Sequence, residues 1–172
     1  MKKIATACLS AALCVGILSA IANAGPDNGV VSKRRAGPIV RGETTFQDVK
    51  SWFGQPDRKN RHDYQCIRVI DAVWRGKFKI LFDTFDNSMI VAIVRDDSAL
   101  SGKHGQIEFK TRKGLQVGDR ARKLHNLYPN ADRHEHQGFN HHILRSDGGG
   151  RLEATTEDSR VTELRSFPYE AC

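Results

Sequence analysis

The sequence predicts an α+β protein of two tandem units, each a short N-terminal helix packed on a small antiparallel β-sheet. Three observations predict it. Short segments with one apolar helical face each precede runs rich in β-branched residues. Gly and Pro mark the boundaries between them. The same order of elements then occurs twice along the chain.

The first unit is placed at residues 38–97. Thr45-x-x-Asp48 reads as a capping box, in which a hydroxyl and a carboxylate satisfy amides of the first helical turn. Val49, Trp52 and Phe53 fall at i, i+3 and i+4 and give the helix one apolar face. Gly54 and Pro56 stop it. Strands are expected over Ile67 to Trp74, Lys77 to Phe82 and Met89 to Val94, with a polar turn from Asp83 to Ser88.

Residues 98–114 read as a linker, and the second unit follows at 115–172. Asp119 is expected to cap its helix, whose apolar face is Ala121, Leu124, Leu127 and Tyr128 and which Pro129 ends. Strands are expected at 140–145, 150–155 and 160–165, with Gly148-Gly149-Gly150 as a hairpin turn. Ile39-x-x-Gly42 matches Leu115-x-x-Gly118 at an offset of 76. At an offset of 71, Leu81, Thr84, Ile90 and Ile93 meet Leu152, Thr155, Val161 and Leu164.

These motifs carry a resemblance. Gly42-x-Thr44-Thr45-x-x-Asp48-Val49, followed by Phe53-Gly54-x-Pro56, resembles the helix motif of the SmpA/OmlA (BamE-type) small envelope proteins. Gly114-Leu115-x-Val117-Gly118-Asp119, Leu124-x-x-Leu127-Tyr128-Pro129 and Asp158-x-Arg160-Val161-x-x-Leu164 are similar to the same superfamily. The β-lactamase inhibitor proteins share this structural class as tandems of two such units. The resemblance spans most of residues 38–166 and implies a non-catalytic protein that works through protein–protein contact. One branch assists outer-membrane assembly as a lipoprotein; another inhibits a secreted hydrolase through the concave surface of adjoining sheets. No motif of that inhibitory surface is present, so no inhibitory residue is carried over.

Residues 1–24 follow the pattern of a cleavable export signal: Lys2 and Lys3, an uncharged apolar stretch, then Ala22-Asn23-Ala24 before Gly25. Leu13 stands before Cys14 where a lipid-anchor motif needs a small residue, so no lipid anchor is expected. Cleavage near Ala24 leaves 148 residues, enough for one ordinary domain or two small ones. Residues 25–37, with Lys33-Arg34-Arg35, read as a flexible lead-in. The leader takes two of the 27 basic residues and no acidic one, so 25 remain against 20 and the mature charge is +5. In a periplasmic or secreted protein that balance points away from a nucleic-acid partner and suits acidic proteins, anionic envelope polymers or, most commonly, a plainly solvated surface.

Cys8 and Cys14 leave with the signal, and Cys66 and Cys172 remain as an even pair in an oxidising compartment. Their bridge would close a loop of 107 residues. A loop of that length is worth about 4–5 kcal/mol in the chain-entropy account.

Arg68, Trp74, Arg75 and Lys79 interleave basic and aromatic groups on strand-like sequence and are the candidate protein-binding residues, Trp74 serving equally as core. His134, His136, His141 and His142 are the candidate metal set, because imidazoles at i, i+2 on an extended segment share a face. No Cys or well-placed carboxylate completes a shell, so the reading assigns no metal and no cofactor. The chain has no Gly-x-Ser-x-Gly, phosphate loop or calcium-loop pattern, so no catalytic set is assigned and the chain reads as a non-enzyme. The expected function is a non-catalytic periplasmic or secreted protein-binding module, of the inhibitor or immunity type, acting on a hydrolase or toxin. Its partner is another envelope or extracellular protein, with no stable membrane anchor after cleavage. The alternative is an outer-membrane or envelope assembly or maintenance factor that contacts anionic envelope components.

Overall fold

The computed structural model describes residues 29–64, 66–76, 78–95, 100–102, 105–136, 138–147 and 150–167, the side chains of 136, 146 and 147 excepted. β1 (Val30–Val31), β2 (Arg35–Ala36) and β3 (Ile39–Val40) lead into α1 (Phe46–Phe53). β4 (Arg58–Tyr64), β5 (Ile67–Trp74), β6 (Phe78–Asp83) and β7 (Met89–Val94) follow as an antiparallel meander. β8 (Leu100–Gly102), β9 (Gly105–Ile107) and β10 (Lys110–Thr111) lead to α2 (Ala121–Leu127). A second meander comes last: β11 (Asp132–His136), β12 (Phe139–Asp147), β13 (Gly150–Glu157) and β14 (Arg160–Phe167).

The expected pair of α+β units is overturned: the protein is mostly β, with two short helices among the described residues. β14 pairs antiparallel with β7 through Leu164–Val94, Arg165–Ile93 and Ser166–Ala92. The two meanders therefore fuse into one eight-stranded sheet in the order β11-β12-β13-β14-β7-β6-β5-β4. The physical reason lies in the edges. β7, almost wholly apolar and buried, would be an adhesive edge if its meander stood alone. In the fused sheet the edges are β4 and β11, whose sequences RKNRHDY and DRHEH are charged and polar. Charged edges resist pairing with other chains. The same polarity hid both strands from the reading of hydrophobic pattern.

One core also runs through both meanders. It joins Val49, Trp74, Phe82 and Met89 to Leu115, Leu124 and Leu164 on the face that α1 and α2 cover, here called the inner face. The segments expected to be a flexible lead-in and a linker belong to it. Val31 and Ala36 are buried, β1 pairs parallel with β10, and Leu100, Ile107 and Phe109 are buried too. Gly102 is obligatory in this arrangement, since a Cβ there would collide with the Trp52 carbonyl and the Phe53 ring at the end of α1.

The sequence repetition is real at the level of hydrogen bonds, within the single sheet. Gly42 N–H donates to Met89 O (3.0 Å), Met89 N–H to Thr44 O (2.8 Å) and Phe46 N–H to Asn87 O (3.0 Å). Gly118 to Val161 O (2.7 Å), Val161 to Asp119 O (2.8 Å) and Ala121 to Ser159 O (2.8 Å) repeat the set. Met89 thus corresponds to Val161, an offset of 72 rather than 71. A slip of one residue moves every side chain to the other face of a strand. Each copy carries a bulge beside this point, between Leu81 and Phe82 and between Thr155 and Thr156.

The capping box of α1 forms as expected: the Thr45 hydroxyl accepts from Asp48 N–H (3.2 Å), and Thr45 N–H donates to Asp48 Oδ2 (2.9 Å). In α2 the N-cap is Arg120, with no side-chain cap. Asp119, expected in that role, accepts from Gln116 N–H (2.8 Å) and pairs with Lys123 (2.8 Å).

Leu164 sits fully buried at the seam between the meanders. Leu164→Ala is expected to cost about 2–5 kcal/mol and to lower one cooperative thermal transition of the whole chain. A calorimetric trace with two transitions, one unmoved by the substitution, would contradict the fused core.

Candidate functional site

The outer face of the sheet, opposite the helices, differs between the two meanders. In the first it is apolar and closed. Strand alternation sends Val69, Leu81, Val91 and Ile93 outward, yet all are buried, and Tyr64, Ile67, Ile90 and Phe167 pack against them. The Tyr64 and Phe167 rings meet edge to face with centroids 6.3 Å apart. Yet β5, β6 and β7 separate β4 from β14. At about 4.8 Å per strand, a flat sheet would hold those strands about 19 Å apart. The face is therefore concave here, with the β4–β5 end reaching across it.

The second meander puts other chemistry at the same positions. His62 pairs with Val69 as His136 pairs with Phe139, and Leu81 pairs with Val91 as Thr155 pairs with Glu163. Ile93 and Arg165 follow two residues later. Where the first copy has Val69, Leu81, Val91 and Ile93, the second has Phe139, Thr155, Glu163 and Arg165. These four, with Arg95 and His141, line an open cleft of about 490 Å³.

The electrostatics of the cleft follow from one carboxylate. Glu163 is 5% exposed and so needs partners. It has two: Arg95 Nε at 2.5 Å and Arg165 Nε. Two guanidiniums on one carboxylate leave surplus positive charge, and each guanidinium has more donors than this carboxylate occupies. His141 Nδ1 lies 3.3 Å from Thr155 Oγ1. Phe139 is 39% exposed at the edge of the group. An exposed ring beside arginines in a polar concavity can hold an apolar side chain and a carboxylate of another molecule together.

The residues singled out from sequence do not converge on one place. Trp74 is core: it is 1% exposed, lies against Phe46 and Phe82, and its indole N–H donates to Gly54 O at 3.0 Å. Arg68 pairs with Asp63 (3.2 Å) near the start of β5, while Arg75 occupies the turn at its other end with φ 54°. Lys79 lies on the outer face, its Nζ 2.7 Å from Asp71 Oδ2. The histidines part in the same way. His134 and His141 are cross-strand partners on the outer face. His142 points inward and is 2% exposed, with Nε2 at 3.0 Å from Thr156 Oγ1. Successive residues of a strand face opposite sides, so the His142 imidazole cannot share an ion with those of His134 and His141. Among the described residues no group of three or more metal-capable side chains forms.

Cys66 lies in the β4–β5 turn; Cys172 and the leader at 1–24 fall outside the described residues. Among the described residues no helix is long and apolar enough to cross a membrane. Phe139, Arg95, Glu163 and Arg165 were missed from sequence. The offset of 71 placed Ile90 on Val161, which conceals that Arg165 and Glu163 stand where Ile93 and Val91 stand.

No known family profile and no curated protein matches the chain. Among solved structures, a provisionally assigned β-lactamase inhibitor protein from Streptococcus mutans is similar at 12% identity and a TM-score of 0.31, over 80% of this chain and 88% of that one. A likeness at that level carries no argument, and the SmpA/OmlA (BamE-type) resemblance rests on its short motifs alone.

His142 generates a pH prediction. Burial holds its pKa below the ordinary histidine value, with His125, Arg133 and His141 adding repulsion. The folded protein keeps this ring neutral while the unfolded chain protonates it near pH 6.5. The contribution is thus fully present above about pH 6.5 and is lost as pH falls below it. Melting temperature should drop between pH 7.5 and 5.5, and His142→Gln should shrink that drop. An equal drop in both proteins would remove His142 as its source.

Proposed function

We propose that this chain is a non-catalytic protein-binding module whose contact surface is the outer-face cleft of the second meander. One observation carries the reading. At the positions where the first meander buries an apolar cluster, the second presents an exposed phenylalanine and Arg165, and Arg95 from the end of β7 joins them. A sheet face with no binding role has every reason to retain the apolar cluster, because burying it stabilises the fold. The cleft's surplus positive charge suits an acidic partner. With the expected export signal, that partner is an envelope or extracellular protein, a hydrolase or toxin in an inhibitor or immunity relationship being the specific form proposed.

The second reading is an envelope assembly or maintenance factor that contacts anionic polymers, favoured by the mature charge of +5. Salt separates the two. Contacts dominated by exposed charge are screened as ionic strength rises, whereas a desolvated contact around Phe139 survives.

The Cys66–Cys172 bridge belongs to the same proposal. Phe167 touches Tyr64, two residues before Cys66. Five further residues reach Cys172, and extended chain covers about 17 Å in that length. Such a bridge would fasten the β4–β5 end over the apolar cluster.

Tagged mature protein applied to an envelope extract of the source cells should recover a stoichiometric partner that stays bound at high salt. Phe139→Ala should weaken binding about tenfold or more with folding intact; wild-type affinity in this variant would sink the cleft as the site. For the bridge, the native protein should resist thiol alkylation until reduced, and reduction should lower the melting temperature by roughly 10 °C. Two alkylatable thiols in the unreduced mature protein would refute the pairing.

A further inference from the structure

The two helices start at equivalent points of the repeat, and their surroundings differ. Phe46 N–H donates to Asn87 O in the first copy, and Ala121 N–H to Ser159 O in the second. An isolated antiparallel bridge precedes each helix, Thr45–Ser88 in the first and Arg120–Arg160 in the second. Thr45 therefore corresponds to Arg120, Phe46 to Ala121 and Ser88 to Arg160. Further along the helices, Gln47, Asp48 and Lys50 correspond to Arg122, Lys123 and His125.

These exchanges run against stability. Thr45 closes a capping box, whereas Arg120 makes no side-chain cap. Losing such a cap weakens the start of a helix. Like charges directly opposite one another across a strand pair repel, and the two bridged arginines stand where the first copy has two hydroxyls. Phe46 packs its ring against Trp74 and Phe82, whereas Ala121 has only a methyl at that position.

Ala121 lines an open cleft of about 460 Å³ between the start of α2 and the β13–β14 turn. Its charged lining is Arg120, Arg122, Arg160 and His125 against one carboxylate, Asp158. Arg160 Nη1 donates to Gly118 O at 2.8 Å, which anchors that guanidinium without neutralising it. Among the described residues Arg120 and Arg122 form no ion pair, and Asp119 is taken by Lys123 at 2.8 Å. Glu157 opposes Arg160 in the hairpin. With both outer carboxylates counted, Arg120, Arg122, Lys123 and Arg160 still exceed Asp119, Glu157 and Asp158, before His125 adds its imidazole. The equivalent positions Thr45, Gln47, Asp48, Lys50 and Ser88 of the first copy carry no net charge.

The lining also says what kind of anion fits. One guanidinium already engages both oxygens of a carboxylate through its paired N–H groups. Three guanidiniums and an imidazole around one cleft suit a ligand with more acceptors and more charge. A phosphomonoester has three terminal oxygens and nearly two negative charges at neutral pH. A dianion between Arg120 and Arg160 would also turn their mutual repulsion into shared attraction.

We propose that this cleft binds a phosphomonoester group, with Arg120 and Arg160 donating to its oxygens from the two sides of the bridge and Arg122 and His125 donating from α2. The site shares no residue with the Phe139 cleft and stands whichever partner that cleft takes.

The mature protein is titrated calorimetrically with glycerol 3-phosphate and with inorganic phosphate at fixed ionic strength. It is also cosedimented with phosphatidylcholine vesicles containing phosphatidic acid or phosphatidylglycerol. The proposal expects saturable phosphomonoester binding with a Kd below about 1 mM. Binding of the soluble compounds marks a free ligand, and binding of phosphatidic acid vesicles alone marks a lipid headgroup. Phosphatidylglycerol, a singly charged diester, should bind about tenfold more weakly or worse. Arg120→Thr with Arg160→Ser, which installs the first-copy pair, and Arg122→Gln should each weaken binding about tenfold or more. Without ligand the double variant should melt no lower than wild type, because a repulsive pair has gone; Arg122→Gln, at an exposed position, carries the test if the double variant fails to fold. No saturable binding of any phosphomonoester overturns the proposal. So does equal affinity for phosphatidylglycerol vesicles, which marks a general charged surface, or wild-type affinity in the folded variants, which moves the anion to the arginines of the other cleft.

Discussion

Three residue pairs between β14 and β7 decide the character of the whole molecule. Without them the chain would be two small meanders, each with a helix, and the first with β7 exposed as an apolar edge. With them the apolar strands take the centre of one sheet, and the polar strands β4 and β11 take its rims. The helices then cover a single continuous core. The rest of the chain adapts to that core: β1, β2 and β3 supply Val31, Ala36 and Ile39, and the segment between the meanders supplies Leu100 and Ile107. Arg41 stitches the arrangement from the side, with one terminal nitrogen donating to Phe167 O (3.0 Å) and Lys33 O (3.2 Å). Gly150 must lack a side chain because that guanidinium and the Phe167 carbonyl occupy the space a Cβ would fill.

Much of the local structure was legible because local chemistry determines it. The capping box at Thr45, the helix stop at Gly54, and the strands at Ile67–Trp74 and Met89–Val94 each depend on residues close in sequence. The fusion of the sheets was not legible, because β-pairing between residues about seventy apart leaves no local mark. The edge strands were missed for a related reason: their protective charges erase the alternation by which strands are recognised. Asp119 shows how a residue type suited to a role can be drawn elsewhere, here to Gln116 N–H and Lys123.

The candidate surface was harder to read, and the cause is the period of the strand. Trp74 and Lys79 were grouped from composition, but Trp74 faces the helices and Lys79 the opposite side. His141 and His142 were grouped from adjacency, and adjacency in a strand means opposite faces.

The two copies divide the labour unequally, and the division follows from the fusion. The first carries the interlocked Phe46, Trp74 and Phe82 rings on the inner face and a second apolar cluster on the outer face. In the second copy Ala72 and Phe82 are replaced on the inner face by His142 and Thr156, a hydrogen-bonded polar pair. Its outer face holds the buried Glu163 and Arg165 where Val91 and Ile93 stand in the first. Polar substitutions on both faces of a small sheet would leave it marginal on its own. Joined through β7 to a neighbour whose two faces are both closed by apolar packing, the second copy draws on a core it does not itself complete. That support is what leaves its outer face open to contact with another molecule.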